Sequence, residues 1–292
     1  MAKQGLIPLR DKTADIGQIY KKASDEIKDE LLRAVSGEIT ELKLIKTEEK
    51  IKDIVKKLNR RVIRWVNIAV PEAYKKSYVI ARTRLEILGK KPKPDYNTNL
   101  HQQEIEKGIE ETIDVYIRAN QSIITNVATY LYLIRQAGRQ IQNIQYFDLR
   151  DEAVIAELLD EEIAEGASRQ RLQTLIREHF GRQAYERKYI NINGRNYDLI
   201  YYGRMVSRTR LRTIQTRAVL RACEQFENDL VQISDHGTKC PICLPYEGNV
   251  YSLSGKSTKY PYMDQYTPFH PSCMHNTSPT SQEAIEVREA RI

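Results

Sequence analysis

Residues 234–255 read S-D-H-G-T-K-C-P-I-C-L-P-Y-E-G-N-V-Y-S-L-S-G, and residues 269–275 read F-H-P-S-C-M-H. Three of the four cysteines and three of the five histidines fall in these two stretches. Two cysteines separated by two residues can face one tetrahedral ion, and Pro241 favours the turn between them by fixing one backbone angle. Cys240 and Cys243 thus make one half of a zinc knuckle. The other half is Cys273 with His275, or with His270 as the alternative ligand, because a closed structural zinc site takes four nitrogen or sulfur ligands. Two further readings stay open. The thiols suit burial as small side chains without a metal. A disulfide needs an oxidising compartment, and the start of the chain, M-A-K-Q-G-L-I-P-L-R, has no signal-peptide apolar segment to point to one. On these readings His236 and His270 are hydrogen-bonded structural residues.

Immediately around the knuckle, Leu230–Ile233 and Asn249–Leu253 read as short strands, the second entered through a turn at Glu247-Gly248. Residues 260–271 carry too much Pro and Tyr for regular structure, so a local metal clip would hold them. The charged tail after Thr280 is expected to be helical only against a partner. Upstream, the period changes from helical to alternating at Tyr189. Y-I-N-I, then Asn193-Gly194, then R-N-Y-D-L predicts a β-hairpin, because Asn and Gly tolerate the positive backbone angles of a type I′ turn. A helix follows, from about Ile200 to Asn228, bearing Arg204, Arg208, Arg210, Arg212, Arg217 and Arg221; Arg204, Arg208 and Arg212 are four apart and share a face. Three roles fit this run: pairing with phosphate oxygens, docking an acidic partner protein, or a plain solvated face. Arg208 also suits an internal brace against the cysteine module.

Further out the chain is helical. Residues 1–11 read as an irregular arm. Ile16, Ile19, Tyr20, Ala23, Ile27, Leu31 and Val35 recur at helical spacing, and Gly37 supplies a stop. A second helix is expected from an N-cap at Thr47, with a kink or new helix at Pro71, running to Gly89. The basic G-K-K-P-K-P-D-Y-N-T reads as a linker or exposed loop. A long helix from about Leu100 to Gln145 has Ile105, Ile109, Ile113, Tyr116, Ile124, Val127, Leu131 and Ile134 as its expected buried face, with Gly138 as a candidate interruption. An acidic helix over 149–165 and a helix from Arg169 to Phe180, capped by Ser168 and closed by Gly181, complete it. The fold class is mainly α: a long-helix part over residues 1–180, then a small α+β module over 181–292 with a β-hairpin and a Cys/His clip.

The 46 Lys and Arg against 39 Asp and Glu leave a charge of +7, which favours encounters with polyanions. No apolar run approaches the roughly 20 residues needed to span a bilayer, so no membrane role is expected, and the protein is read as kept inside a cell or in a particle assembled there. The 18 Tyr against 4 Phe and 1 Trp suggest half-wet surfaces used for protein contacts.

The run D-L-V-Q-I-S-D-H-G-T-K-C-P-I-C-L-P-Y-E-G-N-V-Y-S-L-S-G, followed by P-F-H-P-S-C-M-H, resembles the C-terminal signature of tailed-phage minor capsid proteins. It is most similar to the minor capsid protein 2 family and more loosely to head morphogenesis proteins related to protein F of phage Mu. The likeness extends upstream through N-G-R-N-Y-D-L-I-Y-Y-G-R-M-V-S-R-T, with Arg208 and Thr209 as the Arg-Thr pair these proteins share. The resemblance implies a low-copy structural protein of the virion. It would be made in the host cytoplasm and placed in the phage head near the portal. Portal protein or major capsid protein would be its partners, it would aid head assembly or genome packaging and ejection, and the arginine helix would face packaged double-stranded DNA or an acidic portal surface.

Two rival functions are a nucleic-acid-binding zinc module and a His-metal finger nuclease. Against the nuclease, Asp235-His236 precedes both cysteine halves, whereas such enzymes resemble one another in placing the catalytic Asp-His between them. Cys240 or Cys243 as a nucleophile with His270 would need an orienting carboxylate and a cleft that no spacing here reveals. P-loop and dinucleotide fingerprints are absent, and no catalysis is expected.

Overall fold

The computed structural model describes residues 10–142 and 169–290. The expected acidic helix over 149–165, the Ser168 cap and most of the N-terminal arm lie outside the described residues. The elements in chain order are α1 (Arg10–Val35), α2 (Glu41–Ile87), α3 (Asn99–Gln142), α4 (Arg169–Glu186), β1 (Ile190–Ile192), β2 (Arg195–Tyr197), α5 (Leu199–Gln225), β3 (Leu230–Ile233), β4 (Val250–Ser252), β5 (Thr277–Pro279) and α6 (Gln282–Glu289). The fold is mainly α with a small α+β part at the C-terminal end. The chain packs into two compact units interleaved along the sequence. One comprises Met1–Gly17, Val62–Tyr116 and Gly203–Ile292; the other comprises Gln18–Arg61 and Ile117–Tyr202. Their boundaries fall inside α1, α2, α3 and α5.

Helix signals in the sequence fail where burial outweighs them. Pro71 lies inside α2 without ending it. An interior proline costs about 3 kcal/mol, but Trp65, Val66, Ala69 and Val70 before it and Ala73, Tyr74, Ala81 and Leu85 after it are all buried. Thr47 is likewise buried within the helix, where its hydroxyl donates to the Lys43 carbonyl at 2.9 Å; the cap is Thr40, whose Oγ1 accepts from the Lys43 amide at 3.3 Å. At its other end α2 stops on Gly89 (φ +73°), with the Lys90 amide on the Leu85 carbonyl and the Gly89 amide on that of Glu86, a Schellman closure. α3 passes Gly138 unbroken and α4 passes Gly181, since one helical glycine costs only about 1 kcal/mol.

In the Gln18–Arg61 and Ile117–Tyr202 unit, polar groups are built into the core. Tyr20 donates to Asn120 Oδ1 at 2.8 Å, and Asn120 donates to Asn59 at 2.7 Å. Tyr189 donates to the Ala184 carbonyl at 2.5 Å, and Tyr130 donates to that of Phe180. Part of the tyrosine surplus is therefore internal, while Tyr132, Tyr185, Tyr201, Tyr262 and Tyr266 are exposed: a buried ring needs a partner for its hydroxyl, and backbone carbonyls supply several. Of the expected face of α3, Ile105, Tyr116, Val127, Leu131 and Ile134 are buried, while Ile109, Ile113 and Ile124 are only half-buried; Gly108, Thr112, Ala119, Asn120 and Ile123 complete the buried stripe. The hairpin forms as expected, with Ile192 opposite Arg195 and positive φ at Asn193 and Gly194.

The other unit contains the C-terminal module. Its core joins Ala81 and Leu85 of α2 to Val219, Ala222, Cys223 and Phe226 of α5, and to Val231, Ile233, Tyr251 and Met263. The three-stranded sheet has the order β4-β3-β5, antiparallel throughout. β5 has no counterpart in the sequence reading, because in T-S-P only Thr277 is a strand former. The tail forms α6 within the chain itself, capped by Ser281 and anchored by buried Ile285.

The close approach of α3 and α5 hinges on Gly108. A Cβ there would stand 2.3 Å from Ile214 Cδ1 and 3.3 Å from Val70 Cγ1. Overpacking costs roughly 1–3 kcal/mol, more than the roughly 1 kcal/mol that alanine gains in a helix. Gly108→Ala is therefore expected to lower stability in urea unfolding. In an Ile214→Val background, which removes the offending methyl, the same change should become neutral or stabilising; equal loss in both backgrounds would contradict the contact.

Candidate metal centre

β3 delivers the chain into the knuckle, and the two donor-bearing stretches are tied at their ends. The Ser234 amide donates to the Asn276 carbonyl at 3.0 Å, and the Asn276 amide donates to Ser234 Oγ at 3.1 Å. In C-P-I-C the Cys240 carbonyl accepts from the amides of Cys243 and Leu244 at 3.1 and 2.9 Å, so the turn brings both thiols to one side. The second stretch turns at Ser272 (φ +66°), an angle costly for a residue with a Cβ. Its amide is held by Thr209 Oγ1 of α5 at 3.1 Å. This gives Thr209 of the Arg-Thr pair a definite task.

The five donors converge in two overlapping groups, Cys240, Cys243 and His270, and Cys243, Cys273 and His275, each within 4.8 Å. Cys243 Sγ lies 3.7 Å from Cys273 Sγ, Cys240 Sγ 3.5 Å from His270 Nε2, and Cys273 Sγ 3.6 Å from His275 Nδ1. For zinc, bonds of ~2.3 Å to sulfur and ~2.0 Å to nitrogen imply tetrahedral edges of ~3.8 Å between sulfurs and ~3.5 Å between sulfur and nitrogen. These three separations match. The fourth, 3.1 Å between His270 Nε2 and Cys243 Sγ, is shorter. The described cysteines are all free, and 3.7 Å is far from the ~2.05 Å of a disulfide. The lone Cys223 is a core side chain whose thiol burial pushes up to about 12.

Each histidine is set up to present a lone pair. His270 donates from Nδ1 to the Pro271 carbonyl at 2.8 Å, leaving Nε2 for the cluster. His275, only 2% exposed, donates from Nε2 to Glu247 Oε1 at 3.0 Å, leaving Nδ1 toward Cys273. A carboxylate behind a histidine is the usual way a metal-ligating ring is oriented. Glu247 also accepts from the backbone amides of His236 at 2.6 Å and Thr238 at 2.9 Å, so it braces the knuckle as well. Sequence reasoning used Glu247 only as a turn residue. His236 is a hydrogen-bonded residue, with Nε2 at 2.8 Å from Ser234 Oγ and its ring 5.1 Å from that of His275. Burial and the adjoining thiols of Cys273 and Cys240 push the Cys243 thiol up to about 12, so its proton leaves readily only when a cation takes its place.

The arginines of this run do not form one exposed stripe. Arg204 is exposed and lies across Gly17 of α1. Arg208 is half-buried and Arg212 only 4% exposed. Arg217 donates to Glu111 at 2.8 Å beside Arg210 at 2.5 Å, and Arg221 donates to Glu104 and to Glu224, both at 2.6 Å. Three arginines of α5, Arg210 among them, thus brace it against α3.

A family model described as Phage minor capsid protein 2 matches residues 9–283. Neither a search of curated proteins nor one of solved structures returns a match. Among the described residues no helix is long and apolar enough to cross a membrane.

Burial alone would raise the carboxyl of Glu111, but hydrogen bonds from Arg210 and Arg217 outweigh it and hold the group below its ordinary 4.5. A depressed folded value means stabilisation that is present above the ordinary value and lost as pH falls through the folded one. Glu111→Gln should cost about 1–2 kcal/mol at pH 7, after discounting for partial exposure, and should flatten the decline in stability below pH 4.5. An unchanged acid limb in urea titrations would show that the pair adds nothing.

Proposed function

We propose that this chain, which belongs to the phage minor capsid protein 2 family, is a structural protein of the phage head whose C-terminal module is closed by one zinc ion. The match over residues 9–283 carries the structural role, since it spans nearly the whole chain and places the protein among virion components. The convergent thiols and imidazoles support the metal. Cys240, Cys243 and Cys273 with either His270 or His275 would hold it. The ion would supply folding free energy, because a site assembled only in the folded chain stabilises that fold on binding. The reading assigns no reaction to it.

The partners we propose are portal protein or major capsid protein, with the chain as a low-copy component that aids head assembly or passage of the genome. Direct grip on packaged DNA has less support. Arg217 and Arg221 are occupied by carboxylates and Arg212 is buried, so few of the arginines that suggested phosphate contact are free to make it.

Chemical crosslinking of purified virions followed by peptide mapping should join this chain to portal or major capsid protein; its absence from the particle would contradict the role. Elemental analysis of protein purified without chelator should give one zinc per chain, and Cys243→Ser should lose it. Substoichiometric zinc, with Cys240 and Cys273 alkylated at once in the native protein, would reject the metal.

A further inference from the structure

The cysteine ribbon lies on one face of α5. Thr209 holds the Ser272 amide at 3.1 Å, and Thr216 Oγ1 lies 2.7 Å from Thr267 Oγ1. Arg212 stands three residues after Thr209 and four before Thr216, so it shares that face, between two contacts to the ribbon. It is 4% exposed. Its Nη1 donates to Gln215 Oε1 at 3.1 Å, its Nε has no hydrogen-bond partner among the described residues, and it forms no ion pair there. Arg210, Arg217 and Arg221 on the same helix each have a carboxylate. A buried guanidinium without an anion is costly, and among the described residues no carboxylate pairs with Arg212.

A divalent ion held by three thiolates and one neutral imidazole carries one net negative charge, whereas two thiolates and two imidazoles leave it neutral. We infer that Arg212 is the buried counter-charge of a three-thiolate, one-imidazole metal centre, and that it favours this ligand set over the neutral one. The inference rests on the zinc reading above and holds whichever histidine is the ligand. Arg212 is a positioning residue here, acting on the centre through its charge. Of the charges that reach Arg212, the neighbouring Arg208 repels it, and the Cys273 side chain is the one able to carry an anion.

The test uses the full chain with Arg212→Met and Arg212→Lys, each followed by thermal unfolding in excess zinc and in chelator, with zinc affinity measured by competition. Arg212→Met should lose about 10–100-fold in zinc affinity, the usual cost of losing a group that supports metal ligands, and Arg212→Lys should retain most of it. The zinc-free methionine variant should melt no lower than the zinc-free parent, since the change removes an uncompensated charge. A methionine variant that binds zinc as tightly as the parent would overturn the inference. So would one that loses stability equally with and without zinc, or fails to fold in either, which would mark Arg212 as ordinary packing. A lysine variant as impaired as methionine would also count against it. A parent that binds no zinc would instead sink the metal reading itself.

Discussion

A ribbon with almost no ladder hydrogen bonds has to be fixed to a helix. Between β4 and β5 the chain runs through some two dozen residues with one isolated bridge, Ser252 to Tyr262, as its regular pairing. Backbone left without partners inside a fold is costly, so side chains take over. Asp229 accepts from Ser252 and from the Ser254 amide, both at 2.6 Å, and Thr267 links Thr216 of α5 to Thr277 of β5. The Cys/His cluster closes the same ribbon from above. Val231, Ile233 and Tyr251 of the sheet share a buried core with Val219, Ala222, Cys223 and Phe226 of α5.

α5 thus serves two sides. One face, Thr209, Arg212 and Thr216, receives the cysteine ribbon. Another, Arg210, Arg217 and Arg221, pairs with Glu104 and Glu111 of α3. The helix carries too little separation of polar and apolar faces to look amphipathic, since its buried surface is itself partly charged. Arg210, Arg217 and Arg221 are thereby engaged inside the fold.

The parts that could be read from sequence are those governed by local rules. Asn193-Gly194 fixes a hairpin through backbone angles alone, C-P-I-C fixes a knuckle through one proline, and Gly37 ends α1. The misjudged parts depend on long-range contacts that outweigh local preference. Pro71 and Gly181 stay helical because packing on both sides outweighs a modest intrinsic cost. Asn120 and Thr112 sit in the core of α3 because their partners, Tyr20, Asn59 and the Gly108 carbonyl, satisfy them. Arg212 was visible as a member of a basic run, but nothing local marked it as the one turned inward. In the site, the convergence of the cysteines and histidines was legible by spacing. Glu247 behind His275 and Thr209 under Ser272 were not, because each acts across the fold on a residue distant in sequence.

The central claim is that three thiolates and one imidazole close around a single ion above α5. X-ray absorption at the zinc edge of the purified full-length protein tests it most directly. The account predicts a shell of three sulfurs at ~2.3 Å and one nitrogen at ~2.0 Å, with no bound water. A shell of light atoms alone, or two sulfurs with two nitrogens, would contradict it.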